Sequence, residues 1–248
     1  MQLEVLYVRI FPMCRKWNRK KKLNLLHCIV TDLEAIHSQE MIHRDLHSGN
    51  ILQDTLDSAY ITDLGLSIST NEKMNEKMEG KICGILPYID PQVLIKKEYT
   101  TASDIYSFGI IMWEILYGVT VSYIGKSSEI HLQSLICKGL RPPVNNEATS
   151  CYVNLMRECW SEDSKNRPSA EKLCEIFKKW QDDENILLEL NKSKIKLENI
   201  EKSYTDMFSK GSKFYPPTIS IADSEFARSF YQIIKQFKLK TRIKNITE

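Results

Sequence analysis

Two aspartates and an asparagine carry the chemistry legible in this sequence. Asp45 lies in the stretch His43-Arg44-Asp45-Leu46-His47-Ser48-Gly49-Asn50, with Asn50 five residues behind it. Asp63, in Ile61-Thr62-Asp63-Leu64-Gly65, follows thirteen residues after Asn50. Carboxylates and an amide are hard oxygen donors of the kind Mg²⁺ prefers. Held on short turns between apolar runs, the set suits work on a phosphate–metal complex, where one group orients a hydroxyl nucleophile and two hold the metal. Single Asp and Asn residues more often cap turns and helices. The joint spacing favours chemistry.

Several elements must position these groups. Residues 17–39 read as a helix, because Leu23, Leu26, Ile29 and Val30, Leu33 and Ile36 recur at steps of three and four. His27 and His37 read there as surface or core-edge residues. Met41-Ile42 then enters the Asp45 loop as a short strand. Ile51-Leu52 and Ala59-Tyr60-Ile61 flank a turn and read as a hairpin that brings Asn50 and Asp63 close together. From Ala102 to about Tyr117 the chain is apolar nearly all round, the pattern of a central buried helix. Asp104 at its start is an unusual charge to bury; a plain N-cap role for Ser103 or Asp104 is the alternative. Shorter amphipathic helices follow at 127–138 and 152–160, and Ser169 caps a last one running to about Trp180. Ahead of them all, Leu3, Val5 and Tyr7 with Leu6, Val8 and Ile10 read as a short buried strand stopped at Pro12. Residues 1–16 otherwise match no functional pattern.

Taken together, these stretches resemble the eukaryotic protein kinases. His43 to Asn50 matches the catalytic loop H-R-D-x-x-x-x-N, and Asp63-Leu64-Gly65 resembles the metal-binding D-F-G triplet. Gly84-Ile85-Leu86-Pro87-Tyr88-Ile89-Asp90-Pro91-Gln92 is similar to the segment close G-T-x-x-Y-x-A-P-E. Asp104-Ile105-Tyr106-Ser107-Phe108-Gly109 and the run from Cys159-Trp160 to Arg167-Pro168 complete the likeness, which covers roughly residues 17–181 and has a tyrosine-kinase-like flavour. The resemblance implies a mainly α fold within an α+β family: a helical large lobe with short β-hairpins around the catalytic loop. It implies ATP and Mg²⁺ as cofactors and a protein hydroxyl as acceptor. Asp45 orients that hydroxyl and takes its proton, Asn50 and Asp63 hold the metal, and Leu52 forms the apolar floor under the adenine. Asp104 accepts hydrogen bonds from backbone N–H groups of the catalytic loop.

Departures from the pattern carry their own expectations. The family's Glu at position 92 pairs with a buried Arg, here Arg167; Gln92 keeps an acceptor but no charge and leaves Arg167 poorly compensated. His47 and Ile85 replace the Lys and Thr of Ser/Thr kinases, so both hydroxyl classes remain open. From Asn71 to Pro87 there is no Ser, Thr or Tyr, so Arg44 is expected to meet a Glu such as Glu79, or no fixed partner. No Gly-rich phosphate loop and no strand lysine with a helix Glu partner occurs. The chain therefore reads as a large-lobe fragment without a small lobe, with a catalytically inactive binding or scaffold module as the alternative.

Bulk composition excludes other classes. With 42% hydrophobic and 27% charged residues, 248 residues support a packed domain plus an extension. A formal net charge of +2 gives no footprint for nucleic acid. Seven dispersed cysteines without a C-x-x-C pair argue against a disulfide framework or zinc site and fit a reducing compartment; the kinase resemblance implies a cytoplasmic setting in signal transduction. No apolar run reaches the ~20 residues of a membrane span. Residues 182–248 read as a charged helical tail with a linker near 211–218, either a coiled-coil seam or a solvent-facing helix, with a protein partner as the expectation for this tail.

Overall fold

Every residue from Ser103 to Tyr117 is buried, and the rest of the domain is built around that helix. The computed structural model describes residues 8–9, 17–55, 58–70, 82–121, 129–144 and 151–187. In chain order its elements are β1 (Val8–Arg9), α1 (Arg19–His37), β2 (Met41–Ile42), β3 (Ile51–Thr55), β4 (Ser58–Ile61), β5 (Ile68–Ser69), α2 (Pro91–Lys96), α3 (Thr101–Tyr117), α4 (Glu129–Cys137), α5 (Cys151–Cys159) and α6 (Ala170–Asp182). The helical elements dominate, as the sequence pattern anticipates.

Helix α3 starts in a capping box between Thr100 and Ser103, so Asp104 is free for a tertiary role. It stops at Gly118, whose φ of +67° only glycine adopts cheaply and whose N–H donates to the Glu114 carbonyl at 2.7 Å. Gly109 lets α5 approach: a Cβ there would lie 2.8 Å from Cβ of Cys159. Helix α1 buries Leu23, Leu26, Ile29, Val30, Leu33 and Ile36, and packs chiefly on α6 and β4. Its N-cap is Asn18, whose Oδ1 accepts from Lys21 N–H at 2.9 Å. On α6, Phe177 meets the edge of Phe108 with ring centroids 6.0 Å apart, which joins α6 to the central helix. Full burial of side chains of this size contributes about 1.5–3 kcal/mol each.

The strands form two small sheets. β3 and β4 are an antiparallel hairpin with Ile51 opposite Ile61 and Leu52 opposite Tyr60, and β1 adds on the other side of β3 with Arg9 opposite Leu52. The described part of the N-terminal strand is thus Val8–Arg9; residues 1–7 lie outside the described residues. β2 pairs antiparallel with β5, Ile42 opposite Ile68. Asp32 of α1 is fully buried and accepts from Ile61 N–H at 3.1 Å, which fixes the hairpin to the helical layer. The expected tail beyond residue 187, its linker near 211–218 and residues 71–81 between Asp63 and the segment close, Glu79 included, also lie outside the described residues.

Candidate active site

Asp104 organises the loop that carries Asp45. One carboxylate oxygen accepts from His43 N–H at 2.8 Å and from His37 Nε2 at 2.9 Å; the other accepts from Arg44 N–H at 3.0 Å. An ionised carboxylate with three donors is well satisfied although it is 1% exposed. The bonds also hold Arg44 in a left-handed backbone, φ +71°, which costs a non-glycine residue about 1–2 kcal/mol. His37, expected at a core edge, is thus the third donor to Asp104. The sequence signal for it is its position at the last turn of α1, facing the loop that follows.

His43 is fully buried. Its Nδ1 accepts from Asp45 N–H at 3.3 Å, so its Nε2 donates to the Thr62 carbonyl at 3.1 Å. Burial pushes its pKa below the ordinary histidine value, which keeps the ring in that neutral form. The same Thr62 donates its N–H to the Asn50 carbonyl at 2.8 Å. The two ends of the hairpin, Asn50 and the residue before Asp63, are therefore bonded to each other.

Asn50 turns its amide toward Asp45: Nδ2 is 2.9 Å from the Asp45 carbonyl and 3.4 Å from Oδ2. That leaves its Oδ1 as an oxygen donor. Asp63 has a left-handed backbone, φ +63°, which Asp tolerates better than most residues. Its Oδ1 accepts from Gly65 N–H at 3.3 Å, and the side chain is exposed. Two hard oxygen donors fit Mg²⁺, which keeps waters and phosphate oxygens for its other positions. Among the described residues no three His, Cys, Asp or Glu side chains cluster as a closed metal cage. Leu52 is half-buried on β3. Arg44, Asp45, Gly84, Tyr88, Tyr99 and Asp104 line a small, partly open cleft of about 10 Å³, space for about one water.

Arg167 is paired with Asp90, not left to Gln92. Its Nη1 and Nη2 donate to the two Asp90 oxygens, the second at 3.0 Å, and both side chains are buried. Nη1 also donates to the Ala102 carbonyl at 2.8 Å and Nε to the Ser161 carbonyl at 3.0 Å. Gln92 instead donates Nε2 to the Glu162 carbonyl at 3.0 Å. The expectation of a poorly compensated arginine is corrected: an acid two residues earlier carries the missing charge. The signal was present, since position 90 gained an acid where position 92 lost one.

Further supports were not foreseen. Tyr88 donates its hydroxyl to Glu114 Oε1 at 2.6 Å and accepts from Ser48 at 2.9 Å, while Ser107 donates to its carbonyl at 2.7 Å. The segment close is thereby fastened to both the catalytic loop and the central helix. Glu114 also accepts from Val121 N–H at 2.7 Å, and burial pushes its carboxyl up to about 7. Arg44 lies over the Tyr99 ring at 4.6 Å and reaches Cys83 Sγ at 4.0 Å. Tyr99 brackets Cys83, accepting from its N–H at 2.9 Å and donating to its carbonyl at 2.7 Å.

A family model described as protein tyrosine and serine/threonine kinase matches residues 7–177. A protein of Acanthamoeba polyphaga mimivirus, named for a serine/threonine-protein kinase/receptor, is 31% identical over 193 residues, 75% of this chain and 12% of its own length. Dual specificity protein kinase shkC of Dictyostelium discoideum is 33% identical over 128 residues, 52% of this chain and 25% of its own. Mast/stem cell growth factor receptor Kit of Takifugu rubripes is 31% identical over 153 residues, 62% of this chain and 16% of its own. The chain thus spans a quarter or less of the length of these relatives. Among the described residues no helix is long and apolar enough to cross a membrane.

Proposed function

The chain belongs to the protein tyrosine and serine/threonine kinase family, and from that premise we propose that it is a large lobe supplying the acceptor side and the metal ligands for phosphoryl transfer from ATP to a protein hydroxyl. The observation that carries the reading is the fixed Asp45: Asn50 holds its carboxylate, and Asp104 holds the backbone on which it stands. Asp45 orients the acceptor hydroxyl and receives its proton. Asn50 Oδ1 and Asp63 hold Mg²⁺, which when bound offsets the charge on the phosphates. Leu52 lies under the adenine. Relatives named for serine/threonine and for dual-specificity kinases support leaving Ser, Thr and Tyr hydroxyls all open as acceptors. The dispersed cysteines support a cytoplasmic setting, and membership of the kinase family supports a signalling role. A tyrosine-kinase-like group and a protein partner for residues 182–248 belong to the same reading.

These 248 residues hold no Gly-rich phosphate loop and no matching strand lysine. Phosphoryl transfer depends on positioning and electrostatics, and one lost preorganised donor costs ~10²–10³ in rate. For these residues taken by themselves the second reading is a non-catalytic binding module. Thermal shift with ATP, with and without Mg²⁺, separates the two. The kinase reading expects a Mg²⁺-dependent stabilisation that Asp63→Ala removes. No shift in the wild-type chain overturns nucleotide binding by these residues and leaves the binding module.

A further inference from the structure

Resting on the reading of Asp45 as proton acceptor, we propose that His47 is a positioning residue that occupies one oxygen of Asp45. The other, Oδ1, is thereby left to receive the substrate proton beside Gly84. The ring of His47 is built into the loop. Its Nδ1 accepts from Gly49 N–H at 3.0 Å, so in the neutral ring the proton sits on Nε2. That Nε2 lies 3.6 Å from Asp45 Oδ2, an electrostatic contact slightly longer than a full hydrogen bond. Asn50 Nδ2 approaches the same oxygen at 3.4 Å. Both donors therefore converge on Oδ2, and no donor among the described residues bonds Oδ1. An oxygen already engaged by donors is the poorer base, so the proton goes to the other.

Two further features belong to this arrangement. A Cβ at position 49 would stand 2.7 Å from Cε1 and 2.8 Å from Nδ1 of His47, so only glycine leaves room for the ring. Tyr88 backs the imidazole, with ring centroids 5.9 Å apart, and its own hydroxyl is held by Ser48 and Glu114. On the opposite side of the carboxylate, a Cβ on Gly84 would come within 3.2 Å of Oδ1. Glycine keeps that approach open. As the acceptor oxygen takes up the phosphoryl group from ATP, its proton passes to Oδ1 and ADP departs.

The test uses the full chain labelled with ¹⁵N-histidine, at a pH where the imidazoles are neutral. The His47 signals are assigned by their loss in His47→Ala. Wild type is expected to show the Nε2–H tautomer, with an Nε2 resonance shifted by Asp45→Asn and a tautomer preference lost in Gly49→Ala. An Nδ1–H tautomer, or a resonance indifferent to both substitutions, overturns the proposal whether or not the chain transfers phosphate. Absence of transfer in wild type with the expected spectra overturns only the kinase reading. With transfer measurable, His47→Ala and Gly49→Ala are each expected to lower kcat roughly ten- to a hundredfold, the scale of a misplaced reacting group, with KM for ATP unchanged. The double variant is expected to fall no further than either single one; additive losses overturn the coupling.

Discussion

Replacing Asp90 by Asn removes the only carboxylate that Arg167 meets among the described residues, while keeping the side-chain oxygen that caps α2. The guanidinium then remains buried with the Ala102 and Ser161 carbonyls and the face of Tyr106, whose ring centre is 5.4 Å away. Breaking a buried ion pair by deleting one partner costs about 3–5 kcal/mol. The two carbonyls and the aromatic face retain part of the compensation, so Asp90→Asn is expected at the lower end, about 3 kcal/mol. Asp90→Ala also loses the acceptor for Gln92 N–H, a 2.9 Å cap, and is expected to cost about 1 kcal/mol more. Gln92→Ala forfeits a single bond to the Glu162 carbonyl and is expected to cost no more than about 1 kcal/mol. Urea unfolding of the full chain, with each midpoint shift multiplied by a common slope, measures all three. Gln92 bonds the carbonyl of Glu162, next in the chain to the Ser161 carbonyl that receives Arg167, so Gln92→Glu in the Asp90→Ala background is expected to recover part of the loss. A cost below about 1 kcal/mol for Asp90→Asn, or a larger one for Gln92→Ala, refutes the assignment of Asp90 as the compensating charge.

Two other predictions concern the central helix. Glu114 is expected to make stability fall with rising pH. Its carboxyl is raised to about 7 when folded, so between the ordinary carboxylate range and 7 the unfolded chain has released a proton that the folded chain retains. The loss amounts to about 3 kcal/mol and levels off above that pH. Unfolding midpoints from pH 5 to 8 are expected to decline in wild type and to flatten in Glu114→Gln; a slope unchanged by the substitution overturns the assignment. Gly109→Ala is expected to destabilise by about 1–3 kcal/mol despite alanine's higher helix propensity, because the new methyl meets Cβ of Cys159 at 2.8 Å. Cys159→Ala retains that Cβ and is expected to give no rescue, whereas Cys159→Gly is expected to give some; rescue by Cys159→Ala in denaturation curves contradicts the contact.

By itself the sequence determined the helices whose apolar residues recur at helical spacing and the hairpin bounded by Ile51 and Ile61. It also marked Asp45, Asn50 and Asp63 through their spacing, and Asp104 as a charge at the start of a mostly apolar helix. These are local signals: periodicity, turn chemistry and motif distance lie within a few residues of each other. Tertiary structure decided the partners. Arg167 and Asp90 are 77 positions apart, Tyr88 and Glu114 are 26 apart, and His37 and Asp104 are 67 apart. The acid at position 90 is visible in the sequence, but no local spacing says that it, rather than Gln92, turns toward Arg167. That choice follows from where the buried guanidinium lies once α3 and the loop before α6 are packed, because an unpaired charge there is too costly to leave. His47 shows the same division. Its presence two residues after Asp45 is plain in the sequence, but only the packing against Gly49 and Tyr88 fixes which ring nitrogen faces the carboxylate.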